Sequence, residues 1–157
     1  MTSEIDAAIR NCTSRRPGPL AVAYLETLVR PVLTERLTVL TVDADVIGEA
    51  IDETFRLFAA EVRARNESNW PAWLVATALS FAAEHVSLVW WPDPISANPS
   101  VREDRALVFR VILTLGPPCE WLLLTSLARI RPAAASRACE ETLKERLNLI
   151  AGRYNKP

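Results

Sequence analysis

A chain of 157 residues and 17.5 kDa has room for one ordinary domain or two small ones, and none for a large multi-domain enzyme. Half of it is hydrophobic and 24% is charged, so burial can offset chain entropy and a wholly disordered or collagen-like chain is excluded. The formal net charge of −1 conceals a division, because residues 1–101 carry 8 Arg against 13 Asp and Glu whereas residues 102–157 carry 10 Lys and Arg against 6 Asp and Glu.

The halves are therefore −5 and +4. That asymmetry fits an acidic module that meets protein and a basic module that approaches phosphate, and it equally fits two modules that differ only in solvated surface. Four scattered glycines (Gly18, Gly48, Gly116, Gly152) are too few for a phosphate-cradling loop or a set of Gly-punctuated hairpins. A single histidine, His85, and three separated cysteines, Cys12, Cys119 and Cys139, form no CxxC, no HExxH and no Cys/His or Ser/His pair. No catalytic residue, metal ligand set or cofactor is expected. Three cysteines do not close a disulfide framework, and the N-terminal MTSEIDAAIRNC carries acidic residues where a signal peptide needs a basic start. A reducing, cytoplasmic compartment is the expectation, with Cys119 and Cys139 as small buried hydrophobes. The charge-free stretch Ser68 to Ala83 is shorter than the roughly 20 residues a bilayer crossing needs, so no membrane partner is expected.

In chain order, RRPGP (Arg15 to Pro19) cannot be helical, because its prolines restrict their own φ and the residues before them. It separates residues 1–19, a short leader, from the fold. From Leu20 to Leu40 apolar residues recur at steps of three and four, which predicts a helix that Pro31 kinks or divides. Asp43 offers an N-cap to a second helix, with Ile47, Ile51, Phe55, Phe58 and Val62 as its apolar stripe and Asp45, Glu49, Asp52 and Glu53 on the opposite face. The break NESN then leads into WPAWLVATALSFAAEHVSLVWW, apolar on nearly all sides and so predicted to be a buried central helix entered at Trp70.

PDPISANPS (Pro92 to Ser100) packs three prolines into nine residues and is read as a linker over 92–100 between domains at 20–91 and 101–157. Ser100 and Glu103 have capping-box spacing, opening a helix with Leu107, Val108, Val111, Ile112 and Leu115 as its stripe and Gly116-Pro117-Pro118 as its stop. A Leu-rich helix from Glu120 to about Arg129, a short Pro132-started turn and a last helix from about Glu140 to Arg153 follow. No run alternates β-branched or aromatic with polar residues, so the expected fold class is all-α in two small helical modules.

This order of elements resembles the extracytoplasmic-function class of bacterial RNA polymerase sigma factors, which pair two small helical domains through a flexible linker. DADVIGEAIDETFRLF (Asp43 to Phe58) is similar to that family's polymerase-docking helix, with Glu53, Thr54 and Phe55 matching closely and Asp52 replacing the usual Gln. NWPAWLVATALSFAAEHV puts Trp73-Leu74, Ala78, Ser80 and Glu84 where the family has Trp-Leu, Ala, Asn and Asp. VILTLGPPCEWLLLTSL followed by ETLKERL (Glu141 to Leu147) resembles the family's helix-turn-helix domain.

The resemblance implies a region 2-like domain over 20–91 and a region 4-like helix-turn-helix domain over 101–157. It implies a cytoplasmic transcription initiation regulator, not an enzyme, whose partners are RNA polymerase core, promoter DNA and an anti-sigma factor. Asp45, Glu49, Asp52, Glu53 and Phe55 would contact polymerase; Arg129, Arg131, Arg137, Lys144, Arg146 and Arg153 would contact DNA. The chain also departs from the family. Ala76 and Leu79 stand where arginines usually face promoter DNA, leaving Trp70, Trp90 or Trp91 to hold melted DNA by stacking. The turn between PAAASR and ETLKERL is short for a helix-turn-helix. The alternative expectation is therefore a degenerate sigma-like interaction module, a decoy or adaptor, without promoter melting.

Overall fold

The computed structural model describes residues 2–88, Trp91, 102–128 and 137–154, the last four as backbone alone. The described residues hold seven helices and no strand: α1 (Ser3–Thr13), α2 (Ala21–Leu37), α3 (Ala44–Glu61), α4 (Trp70–Ala83), α5 (Arg102–Thr114), α6 (Cys119–Leu127) and α7 (Arg137–Tyr154). The all-α expectation holds. The linker over 92–100, the Ser100 capping box and the Pro132 turn lie outside the described residues.

Residues 3–13 are more than a leader. Thr2 caps α1 by accepting from the Ile5 N–H, and Ile5, Ala8, Ile9 and Cys12 turn a buried stripe onto α2. Their spacing of three, four and seven is the helix period, and it is readable in MTSEIDAAIRNC. The RRPGP bend ends α1 without removing it from the core.

α2 runs unbroken through Pro31, which stands on the exposed side, while Leu25, Val29, Leu33 and Leu37 are wholly buried on the other. A proline in a helix interior removes one backbone bond and crowds the preceding turn. Here the packed Leu/Val stripe carries the helix through it. α3 begins as expected, with the Asp43 carboxylate accepting from the N–H groups of Asp45 and Val46 at 2.9 and 3.4 Å.

α4 is buried on every side, with Leu74, Ala76, Ala78, Leu79, Ser80 and Ala82 fully inaccessible. Asn69 caps it through a bond from the Ala72 N–H, and Pro71 occupies its first turn, where a missing N–H costs nothing. It packs against α2, α3 and α5, most extensively against α5. An aromatic group of Phe58, Trp70 and Trp73, with ring centres 5.1 to 6.2 Å apart and Trp70 edge to face with both others, fastens its start to α3.

Two polar links cross between α4 and α5. Arg105, buried, donates to the Ser80 carbonyl at 3.1 Å and lies 3.5 Å from Glu84; the Ser80 hydroxyl donates to the Arg102 carbonyl. Burial pulls the Arg105 pKa down, and Glu84 works against that pull. Arg110 makes a two-armed bond to Glu67 at 2.8 and 2.9 Å, tying α5 to the break before α4. Val108, Phe109 and Ile112 of α5, Leu123 and Leu127 of α6, and Leu143 and Leu147 of α7 belong to one apolar cluster with α1 to α4. Gly116, at φ +73°, reverses the chain after α5 in a conformation that side chains disfavour.

Candidate functional site

The helix period sets the outer face of α3. Positions 45, 49 and 52 are four and three apart, so Asp45, Glu49 and Asp52 stand in one exposed stripe with Glu53 beside them. Arg30 of α2 bonds both Asp52 and Glu26, and these two carboxylates hold its guanidinium firmly charged, Asp52 foremost. Arg56 pairs with Glu53 one turn along. Asp45 and Glu49 have no such partner among the described residues. They are the free charges of the stripe.

Phe55 is a correction. It was expected on the polymerase-facing surface with these carboxylates, but it is only 4% exposed and meets Phe58 edge to face. The apolar stripe that contains it outweighs the motif that would expose it. Thr54 is buried too, its hydroxyl donating to the Ala50 carbonyl at 2.7 Å.

Beside the stripe, Glu49, Glu53, Arg56, Phe81, Glu84 and His85 line a hollow of about 460 Å³ between α3 and the end of α4. His85 is exposed there, and among the described residues no group of three or more acidic, His or Cys side chains is placed to hold a metal ion.

Of the three tryptophans expected to stack on a melted strand, Trp70 is a core residue, only 6% exposed, and its neighbour Trp73 is 4% exposed. Trp91 packs on Phe109 and buries an indole N–H without an acceptor; Trp90 lies outside the described residues.

Of the six cations expected at DNA, three have described side chains. Arg129 and Arg131 lie outside the described residues, and Arg153 is described as backbone alone. Arg137, Lys144 and Arg146 are exposed on α7 with no ion pair among the described residues. At 100° per residue, Arg137 and Lys144 share one flank of α7 while Arg146 stands on the other. The exposed Glu141 and Glu145 lie between them. Toward the core α7 presents Cys139, Leu143 and Leu147.

Cys139 is bonded to Cys119 at the start of α6, 20 residues earlier, across a Cα separation of 5.4 Å. The expectation that both are unpaired is overturned, because α6 and α7 pack side by side with their first turns adjacent. A disulfide persists in oxidising surroundings and is uncommon in reducing ones, so it runs against the compartment inferred from cysteine number. Cys12 is free and buried, and its burial pushes the thiol pKa up, away from reactivity. No helix among the described residues is long and apolar enough to cross a membrane.

Compared with known proteins, the chain matches no family model, no curated protein and no solved structure.

Sequence reasoning missed the arginines that the structure employs. Arg30, Arg105 and Arg110 reach across elements to carboxylates or carbonyls 22 to 43 residues away. The one signal for them in the sequence was Arg105, which falls three residues before Val108 on the buried side of α5.

Proposed function

We propose that the protein is a sigma-like protein-interaction module: it recognises RNA polymerase core through the acidic stripe of α3 and does not hold melted promoter DNA. It acts by binding rather than by catalysis. The observation that carries this reading is the contrast between an outer α3 face of exposed carboxylates and an α4 with no exposed cation or ring. Stacking on Trp70 or Trp73 would require pulling large aromatic surfaces out of the core, and Ala76 and Leu79 contribute no charge to attract a phosphate. Two unpaired carboxylates, Asp45 and Glu49, suit a basic protein surface, where complementary charge speeds encounter and selects the partner.

A second reading, promoter contact through α7, is favoured by the exposed Arg137, Lys144 and Arg146, which have no ion pair among the described residues. Glu141 and Glu145 between them weigh against a duplex lying along that face.

The deciding experiment is capture of purified host core RNA polymerase by the tagged full chain at moderate salt. Capture that Asp45→Lys/Glu49→Lys abolishes supports the reading; no capture overturns it. Salt-sensitive binding to a DNA duplex that Lys144→Ala/Arg146→Ala removes would transfer the reading to promoter contact.

A further inference from the structure

At the far end of α3, about 27 Å from its acidic first turn at 1.5 Å per residue, the surface has the opposite character. A cleft of about 570 Å³ opens between the end of α1, the turn after α3 and the start of α4. Arg10 and Arg15 line it from one segment, Arg63 and Arg65 from another some fifty residues later. Ile9, Val62 and Trp70 supply apolar surface.

The charges here are not balanced within the molecule. Among the described residues up to Ala128, every arginine is in an ion pair except Arg10, Arg15, Arg16 and Arg63. Three of those four line this cleft. The one carboxylate lining it, Glu67, is 7% exposed and has both oxygens occupied by Arg110, with Arg65 adding a contact at 3.6 Å. Burial opposes its charge, but Arg110, the Asn69 N–H and Arg65 outweigh that and hold its carboxyl below the ordinary range, so it stays an anion already spent on internal partners. The nearby Thr13 and Ser14 hydroxyls donate to the carbonyls of Arg10 and Asn11, so among the described residues the lining side chains with unspent donors are Arg10, Arg15, Arg63 and Asn66.

One arginine at a helix C-terminus is accounted for by the helix dipole, as for Arg10 in the last turn of α1. Three arginines with no ion pair among the described residues line this one cleft from two distant segments, where like charge is unfavourable, and this in the half of the chain whose net charge is −5. A bound anion reverses that cost. Guanidinium forks match the oxygens of phosphate in pairs, and a cleft of this volume is of the size that takes small ligands.

We infer that this cleft is a binding site for a small organic phosphate, its phosphate group held by Arg10, Arg15 and Arg63 and its apolar body resting on Ile9, Val62 and the edge of Trp70. A long polyanion fits less well, because the cations converge on one hollow rather than running as a stripe, and carboxylates such as Glu61 flank it. The inference is independent of polymerase recognition, which uses the other end of α3.

The test is calorimetric titration of the full chain at constant ionic strength with phenyl phosphate, inorganic phosphate, phenol and a short DNA duplex of random sequence. The expected result is saturable binding of phenyl phosphate, tighter than inorganic phosphate and absent for phenol. Arg10→Gln/Arg63→Gln should weaken it by about tenfold or more per arginine removed. Arg16→Gln, outside the cleft, should leave it unchanged. Arg10 and Arg63 are exposed and unpaired, so the double variant removes no internal contact; a circular dichroism melt matching the parent verifies the fold, and Arg63→Gln alone is read in the same way. No saturable binding of phenyl phosphate, or equal binding by the variants, overturns the site. Inorganic phosphate binding as tightly as phenyl phosphate overturns the role of the apolar floor, and binding of the duplex alone overturns the small-ligand assignment in favour of a nucleic-acid surface.

Discussion

α3 and α7 are both 18 residues long, both bury one stripe and both carry an excess of ionised side chains outside, yet they offer a partner different things. On α3 the exposed carboxylates fall at steps of four and three and form a single line, so their fields add. On α7 the cations fall at steps of seven and two, which sends Arg146 to the far flank and leaves Glu141 and Glu145 in the middle. A charge total over half a chain, −5 or +4, does not distinguish these cases. What a partner meets is set by angular position: on α3 the carboxylates stand together, with Arg56 closing the line one turn on, whereas on α7 the two signs are interleaved.

The largest test of the contrast is whether Phe55 belongs to the acidic surface or to the core beneath it. Phe55→Ala should lower stability by about 3–5 kcal/mol, the cost of emptying a large buried side chain, in chemical denaturation of the purified chain. A change near zero would return the ring to the surface and enlarge the α3 site.

Next in size is the Glu67–Arg110 bond that joins α5, and through it the basic half, to the acidic half. Glu67→Ala should cost about 2–3 kcal/mol by removing a charge-assisted pair from a largely enclosed position. Because the folded-state pKa of Glu67 is lowered, its contribution is complete above its ordinary value and fades as the pH falls through the folded one. Glu67→Gln should accordingly flatten the loss of stability on acidification, and an unchanged acid limb in a pH series of melts would show that the pair contributes nothing.

Asp43→Ala, which deprives α3 of its cap, should cost about 1 kcal/mol and fray the turn that carries Asp45, read by hydrogen exchange at Asp45 and Val46. The smallest effect on stability belongs to the charge variants. Asp45→Lys/Glu49→Lys should stay within about 1 kcal/mol of the parent, since neither side chain has a partner among the described residues and only Asp45 gives up a favourable place at the N-terminus of α3. Glu141→Gln/Glu145→Gln should be similarly mild for stability yet raise duplex affinity at low salt, because it removes the carboxylates that interrupt the cations of α7. Failure of that gain would mean that the separation of Arg146 from Arg137 and Lys144, not the intervening acids, silences the face.

Much of the fold was legible in the residues. Asp43 before an apolar period announced the start of α3, Gly116-Pro117-Pro118 the end of α5, and the lack of any polar face between Trp70 and Ala83 the burial of α4. The period in Ile5, Ala8, Ile9 and Cys12 was legible too, though the proline bend after it suggested a detached leader. The site was less so. Phe55 carried two signals, a motif that would expose it and a stripe that would bury it, and the free energy of hiding an aromatic ring decides for the stripe.

Local pattern by itself determined which segments are helices, where they are capped and which face each turns inward, because those depend on residues within a turn or two. Only the tertiary structure decided that Cys119 meets Cys139, that Glu67 is spent on Arg110 while Arg10, Arg15 and Arg63 converge with no carboxylate to answer them, and that the end of α1 meets the end of α3. These pairings join positions 20 to more than 50 residues apart. Their physical origin is the packing of whole helices, which brings distant charges and thiols together only after the apolar stripes have docked.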